Sequence, residues 1–267
     1  MKQLIWCLLL FMLIGGTASA ENNLSSGTQL DRGFILDNVL HHQERGDIHF
    51  SLYVPDSYDP NQPVPLYIAL PGWEGLYFQG VGYDLKWETL PFEARKMNPD
   101  MIIASAHLND WGMTSALDTI SLTEYLIEAY SVDPNRVYLS GLSGGGETGS
   151  LVMGLRPDLY AAYLMVASQW DGDLEALAAA RAPVYMVIGE DDSYYGSASL
   201  KSAYQILYDL YLEQGLFPET IDDLLVMDVK QQDWFVSYGY TDQHAGAVCL
   251  SYDEQMLTWF FSKRKGE

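Results

Sequence analysis

Short apolar runs alternate with longer segments whose apolar residues recur every three or four positions. The runs are Pro65–Leu70, Met101–Ala106, Arg136–Ser140, Ala162–Ala167, Pro183–Ile188 and Leu224–Val229. Such runs predict strands buried on both faces. Among the longer segments, Leu117–Tyr130 sets Leu117, Ile120, Leu126, Ile127 and Tyr130 near one face, with Glu124 and Glu128 off it. That spacing predicts an amphipathic helix, and Ser197–Leu212 and Tyr252–Ser262 share it. Two earlier stretches, Gly33–Leu40 and Asp47–Val54, carry the half-polar alternation of an antiparallel edge pair. Asp56-Ser57-Tyr58-Asp59-Pro60-Asn61 is turn chemistry, and Asp133-Pro134-Asn135 predicts a stop between the Leu117 helix and the next strand. No repeat, low-complexity tract or linker interrupts residues 21–267, so the pattern predicts one α/β domain: a mostly parallel central sheet with helices on both faces.

The first twenty residues follow a different pattern. Lys2 precedes an unbroken apolar run, Leu4–Ile14; Gly15-Gly16 ends it, and Ala18-Ser19-Ala20 supplies small residues for cleavage. This order reads as a secretory signal peptide over residues 1–20, leaving residues 21–267 as the catalytic domain, secreted or periplasmic. The run falls short of the roughly 20 residues that span a bilayer, so no stable membrane association is expected after cleavage. An uncleaved anchor is the alternative. A lipoprotein is excluded, because Cys7 sits inside the run and no cysteine follows near the cleavage point. Only Cys249 would remain, so the expected mature chain has no internal disulfide and relies on packing and hydrogen bonds.

Charge narrows the function classes. The net formal charge is −22, which argues against nucleic acid and anionic lipid as partners. The basic Lys263-Arg264-Lys265 tail reads as a solvated helix end that complements the dipole.

The chemistry concentrates after the Arg136–Ser140 strand, which enters Gly141-Leu142-Ser143-Gly144-Gly145-Gly146 and then the helical Glu147–Leu155. A G-x-S-x-G at a strand-to-helix turn is a nucleophile elbow: glycines two residues either side relieve clashes, and the serine stands at a helix N-terminus that favours developing negative charge. The fold class predicted is therefore a single-domain α/β-hydrolase fold. A serine hydroxyl needs a base, and the base needs a carboxylate to orient it. In this fold the order is Ser, acid, His. After Ser143 the only histidine is His244, in Tyr240-Thr241-Asp242-Gln243-His244-Ala245-Gly246; His107, His41, His42 and His49 all precede the serine. The acid falls in Val187-Ile188-Gly189-Glu190-Asp191-Asp192. An acid three residues after the glycine selects Asp192, with Asp191 as main competitor and Glu190 behind it. The oxyanion would be met by the Gly144 amide and, from Leu70-Pro71-Gly72-Trp73-Glu74-Gly75, the Trp73 amide.

The segments YVPDSYDPNQPVPLYIALPGWEG, DPNRVYLSGLSGGG, IGEDD and DQHAG resemble the secreted esterase branch of the α/β hydrolases, close to the prolyl oligopeptidase-type catalytic domain, a branch with feruloyl esterases and poly(3-hydroxybutyrate) depolymerase-like proteins. The resemblance runs from about residue 47 to 260; Pro71 departs from it, standing where many members carry His. It implies acyl transfer through an acyl-enzyme, with Ser143, Asp192 and His244 in the triad positions. With no room left for a gating domain, a small esterase is expected over an oligopeptidase. The rivals are a secreted serine peptidase with the same machinery and a non-catalytic binding module retaining the hydrolase shell.

Aromatic residues gather in the predicted loops: Trp73, Tyr77, Phe78, Tyr83, Trp111, Trp170, Tyr194 and Tyr195. Trp73 and Trp170 follow strands, on the side where parallel sheets present ligands. Trp170 and Tyr194 are the candidate substrate-binding residues; packing in the core or shielding of loops is the alternative. No His/Asp/Glu spacing suggests a metal site, and the mechanism calls for no cofactor. The expected partner is a small-molecule or polymer ester; nothing in the pattern sets an oligomeric state.

Overall fold

The computed structural model describes residues 23–266, and the leader expected at 1–20 lies outside the described residues. In chain order the elements are β1 (Leu24–Ser25), β2 (Gln29–Asp31), β3 (Phe34–His42), β4 (Gly46–Tyr53), β5 (Val64–Leu70), α1 (Leu90–Met97), β6 (Ile102–Ala106), α2 (Met113–Ala129), β7 (Val132–Leu142), α3 (Gly144–Leu155), β8 (Ala162–Val166), α4 (Leu174–Ala180), β9 (Val184–Gly189), α5 (Ala198–Glu213), α6 (Pro218–Leu224), β10 (Leu225–Lys230), α7 (Gln232–Ser237) and α8 (Glu254–Ser262). Short 3-10 turns join several of them, including Trp73–Gly75 and Ala245–Tyr252.

The strands form one sheet in the order β1-β3-β4-β6-β5-β7-β8-β9-β10, with β2 also on β3. From β6 to β10 every neighbouring pair is parallel. The amino-terminal strands pair antiparallel and join through β4–β6, so the expected edge hairpin caps a parallel core. Strand alternation divides the interior into two layers. On β5, Leu66, Ile68 and Leu70 face one core with residues of α2 to α6; Tyr67 and Ala69 face the other with α1, α7 and α8. Every residue of β5, β6, β8 and β9 is buried, which is why those segments are almost wholly apolar.

One expectation is corrected. Asp133-Pro134-Asn135 does not separate α2 from β7; it lies inside β7 as a bulge. Val64 pairs with Val132 and Leu66 with Val137, so β7 carries the extra residues over that interval. The turn chemistry persists: Asp133 accepts the Asn135 amide at 3.0 Å and the Arg136 guanidinium at 2.8 Å. Proline cannot donate to a ladder, so the break falls where it stands.

The chain reverses direction around β5: β6 follows it on one side and β7 on the other. Sites in open parallel sheets form at such a switch point, beyond the carboxyl ends of the strands. Those ends here are Leu70 and Leu142.

The last helix depends on its cap. Asp253 accepts the Gln255 and Met256 amides at 3.0 and 3.1 Å, and its other oxygen takes Lys230 Nζ at 2.6 Å. Burial raises the carboxyl's pKa, but Lys230 and the two amides outweigh it and hold the pKa below the ordinary Asp value. A lowered folded-state pKa gives stability that is present above the unfolded value and is lost as pH falls through the folded one. We expect Asp253→Ala to lower unfolding stability by about 2 kcal/mol at pH 7, from a lost cap and a lost charge-assisted bond. The difference from wild type should shrink in acid, and Asn, which keeps the cap acceptor, should recover part of it in urea denaturation.

Candidate active site

β7 ends on Leu142 and α3 starts on Gly144, leaving Ser143 alone to turn the chain. Its backbone sits at φ 52°, ψ −123°, a region that L residues seldom occupy. The turn is tight enough to need glycine on both sides. A Cβ at Gly141 would lie 2.3 Å from the Gly145 carbonyl oxygen, and one at Gly145 would lie 2.3 Å from that of Leu70. The strain is held in place by β8 and its following loop: the Ser143 amide donates to Val166 O at 2.9 Å, and Ser168 Oγ donates to Ser143 O at 2.6 Å.

Ser143 Oγ stands 3.1 Å from His244 Nε2, and His244 Nδ1 stands 2.9 and 3.1 Å from the two Asp192 oxygens. These pairings assign the Nδ1 proton to the carboxylate side and leave Nε2 to accept from the serine hydroxyl. Asp192 is 5% exposed, and its Oδ1 also accepts the Tyr194 and Tyr195 amides at 3.0 and 2.9 Å. Asp191 is exposed, and its amide donates to Gln243 Oε1; Glu190 pairs with Lys201 at 2.6 Å. Of the three carboxylates considered, Asp192 is the one that meets the imidazole. A hydroxyl, imidazole and carboxylate in this order can move a proton from serine to histidine and stabilise the resulting cation.

Gly144 opens α3 and Trp73 opens the 3-10 turn after β5, and first-turn amides have no acceptor within their own helix. The two turns touch: a Cβ on Gly72 would lie 3.4 Å from Ser143 Cβ. Both candidate oxyanion donors thus come from turns that meet at the serine. Trp111 covers Gly144, where a Cβ would meet the indole at 2.1 Å, and Trp73 packs edge-on to Trp111 and Phe78.

The candidate substrate residues divide. Tyr194, 66% exposed, stacks on the His244 ring with centroids 5.2 Å apart. Trp170 is half-buried, donates its indole N–H to Gly172 O at 3.1 Å and packs edge-on to Tyr163, so it meets the body of the domain. Among the described residues, no group of three or more His, Cys, Asp or Glu side chains could hold a metal, and no helix is long and apolar enough to cross a membrane.

Three further residues belong to the site. Gln243, buried beside His244, accepts the Asp191 amide at 2.8 Å and donates to Gln232, tying the histidine loop to the acid loop. Its adjacency to His244 was the only signal in the sequence. Tyr195 hydrogen-bonds Glu147 in the first turn of α3, and its phenol lies within reach of the Ser143 side chain. Nothing local in the sequence marks that pair, which joins residues 48 apart.

Comparison with known proteins agrees with this architecture. Residues 104–203 match the prolyl oligopeptidase family, a span that includes the elbow and the acid loop. Among solved structures, a thermostable esterase matches at 19% identity with a TM-score of 0.69, over 87% of this chain and 64% of that one. A feruloyl esterase module from Clostridium thermocellum, complexed with sinapinate, matches at 16% and 0.56, over 90% and 96%. Oligopeptidase B from Leishmania major matches at 14% and 0.53, over 90% of this chain and 37% of that one. The chain therefore spans somewhat under two thirds of the esterase and just over a third of the peptidase. No curated protein matches it. The fold is that of the α/β hydrolases.

Burial raises the Glu147 pKa, and the Tyr195 hydrogen bond works against that rise. Tyr195→Phe should therefore raise the Glu147 pKa further in a carboxyl NMR titration; an unchanged midpoint would show that the phenol does not hold the carboxylate.

Proposed function

We propose that this chain is a serine hydrolase, and more narrowly an exported esterase that cleaves carboxylic esters through an acyl-enzyme. The observation that carries the reading is the run of contacts from Ser143 Oγ through His244 to the enclosed Asp192, with Ser143 held in a strained turn. In the scheme, His244 Nε2 takes the serine proton as Oγ attacks the ester carbonyl. Asp192 holds the imidazole and stabilises its cation. The Gly144 and Trp73 amides receive the oxyanion, each such donor being worth about 3 kcal/mol. His244 returns the proton to the leaving alcohol, and water repeats the steps to free the acid.

Esters are favoured over peptides by two exposed rings, Trp73 in the turn that abuts Ser143 and Tyr194 stacked on His244, which suit a planar acyl group. The likeness to a thermostable esterase and to a feruloyl esterase module points the same way. A peptidase is the second reading, favoured by the match of residues 104–203 to the prolyl oligopeptidase family. Export rests on the leader expected at residues 1–20.

The purified chain should hydrolyse short p-nitrophenyl esters faster than aminoacyl-amides, and Ser143→Ala should abolish turnover without loss of fold; the reverse preference would establish the peptidase. Asp192→Asn should lower kcat on the order of 10⁴-fold with the fold intact, because the imidazole loses its orienting charge, whereas Asp191→Asn should stay within a few-fold of wild type. Expressed with its leader, the chain should be recovered outside the cytoplasm with Glu21 as its first residue in intact-mass spectrometry; a full-length product retained on the membrane would favour the anchor.

A further inference from the structure

Behind the turn after β5 lies a carboxyl that the scheme above does not use. Glu88, just before α1, is 6% exposed, and its Oε1 accepts the Gly72 amide at 2.8 Å. Gly72 precedes Trp73 and abuts Ser143. The geometry points to Glu88 as a positioning residue: by gripping the Gly72 N–H, it aims the next amide, that of Trp73, at the oxyanion. This inference rests on the hydrolase reading.

The turn needs such a grip. Gly72 sits at φ −77°, ψ −148°, outside the α and β basins, and glycine itself does little to restrict that choice. Its ψ sets the direction of the Trp73 N–H. Downstream the turn is anchored by main chain, through Leu108 N to Gly75 O at 3.0 Å and Tyr77 N to Leu108 O at 2.8 Å. Upstream, the Gly72 carbonyl accepts the Gly75 amide at 3.0 Å, and the Gly72 N–H, which no main-chain acceptor meets, is held by the Glu88 side chain. Burial, reinforced by the Asp84 and Glu74 carboxylates, pushes the Glu88 pKa well up, which favours the neutral acid. Gln is thus a close replacement, with the same reach and the same acceptor oxygen.

The test compares wild type, Glu88→Gln, Glu88→Met and Ser143→Ala on a p-nitrophenyl ester, with rates expressed per serine titrated by a fluorophosphonate. Wild-type turnover that Ser143→Ala abolishes establishes the hydrolase reading independently of Glu88. Losing one oxyanion donor lowers kcat by about 10²–10³, so a misaimed one should cost at least fivefold. Met should therefore lower kcat more than fivefold with KM within twofold, and Gln should stay within fivefold of wild-type kcat. A Met variant within fivefold of wild-type kcat, a Gln variant that falls as far as Met, or a loss carried by KM overturns the proposal. A role in stability alone would reduce the titrated fraction and the melting temperature but not the rate per titrated serine. Should the Met variant give no cooperative melt, Glu88→Asp, one methylene too short for the 2.8 Å contact, takes its place under the same criteria.

Discussion

Two main-chain turns meet beside Ser143, so close that Gly145 has no space for a Cβ. One joins β7 to α3 and the other leaves β5, and the backbone of Gly145 lies against the carbonyls of Leu70 and Pro71. The left-handed Ser143 conformation follows from this crossing, at a cost of order 1–3 kcal/mol that the surrounding packing must offset. β5 and β7 are parallel neighbours in the interior of the sheet, with helices packed over both faces, so neither turn can withdraw without disrupting the core. The same crossing brings the Trp73 turn beside the serine. The strain and the candidate oxyanion site are thus one feature.

The other two members of the constellation arrive on longer loops, each with its own supports. The Tyr194 and Tyr195 amides and the His244 imidazole all meet Asp192. Gln243 spans from the histidine loop to the acid loop, and Gly189 is where it fits: a Cβ there would lie 2.2 Å from Gln243 Oε1. Hydrogen bonds between loops therefore fix the base, while packing of the sheet fixes the nucleophile. Loops are the softer part of any domain, which explains why so many side chains are committed to aligning these two.

The sequence made the scaffold legible because burial on both faces leaves a simple trace: β5, β6, β8 and β9 all fell on the apolar runs. Asp133-Pro134-Asn135 misled because a proline between turn formers has the same local preference in a bulge as at a strand start. The elbow was legible because its constraint is local, acting within two residues of Ser143. Choosing between Asp191 and Asp192 required the direction of each side chain, which adjacent positions of the same residue type do not reveal. Tyr195 with Glu147, and Glu88 with Gly72, were invisible because each is a contact between distant segments, and neither partner carries a distinctive neighbourhood of its own.

The central claim is that Ser143 is activated by its surroundings. The most direct measurement is peptide mapping by mass spectrometry after reaction with a fluorophosphonate, for wild type and for His244→Ala. The account predicts a single stoichiometric adduct on Ser143 in the wild type, and loss of most of that labelling once the imidazole is removed. An unlabelled wild type, an adduct on a different serine, or undiminished labelling of His244→Ala would contradict it.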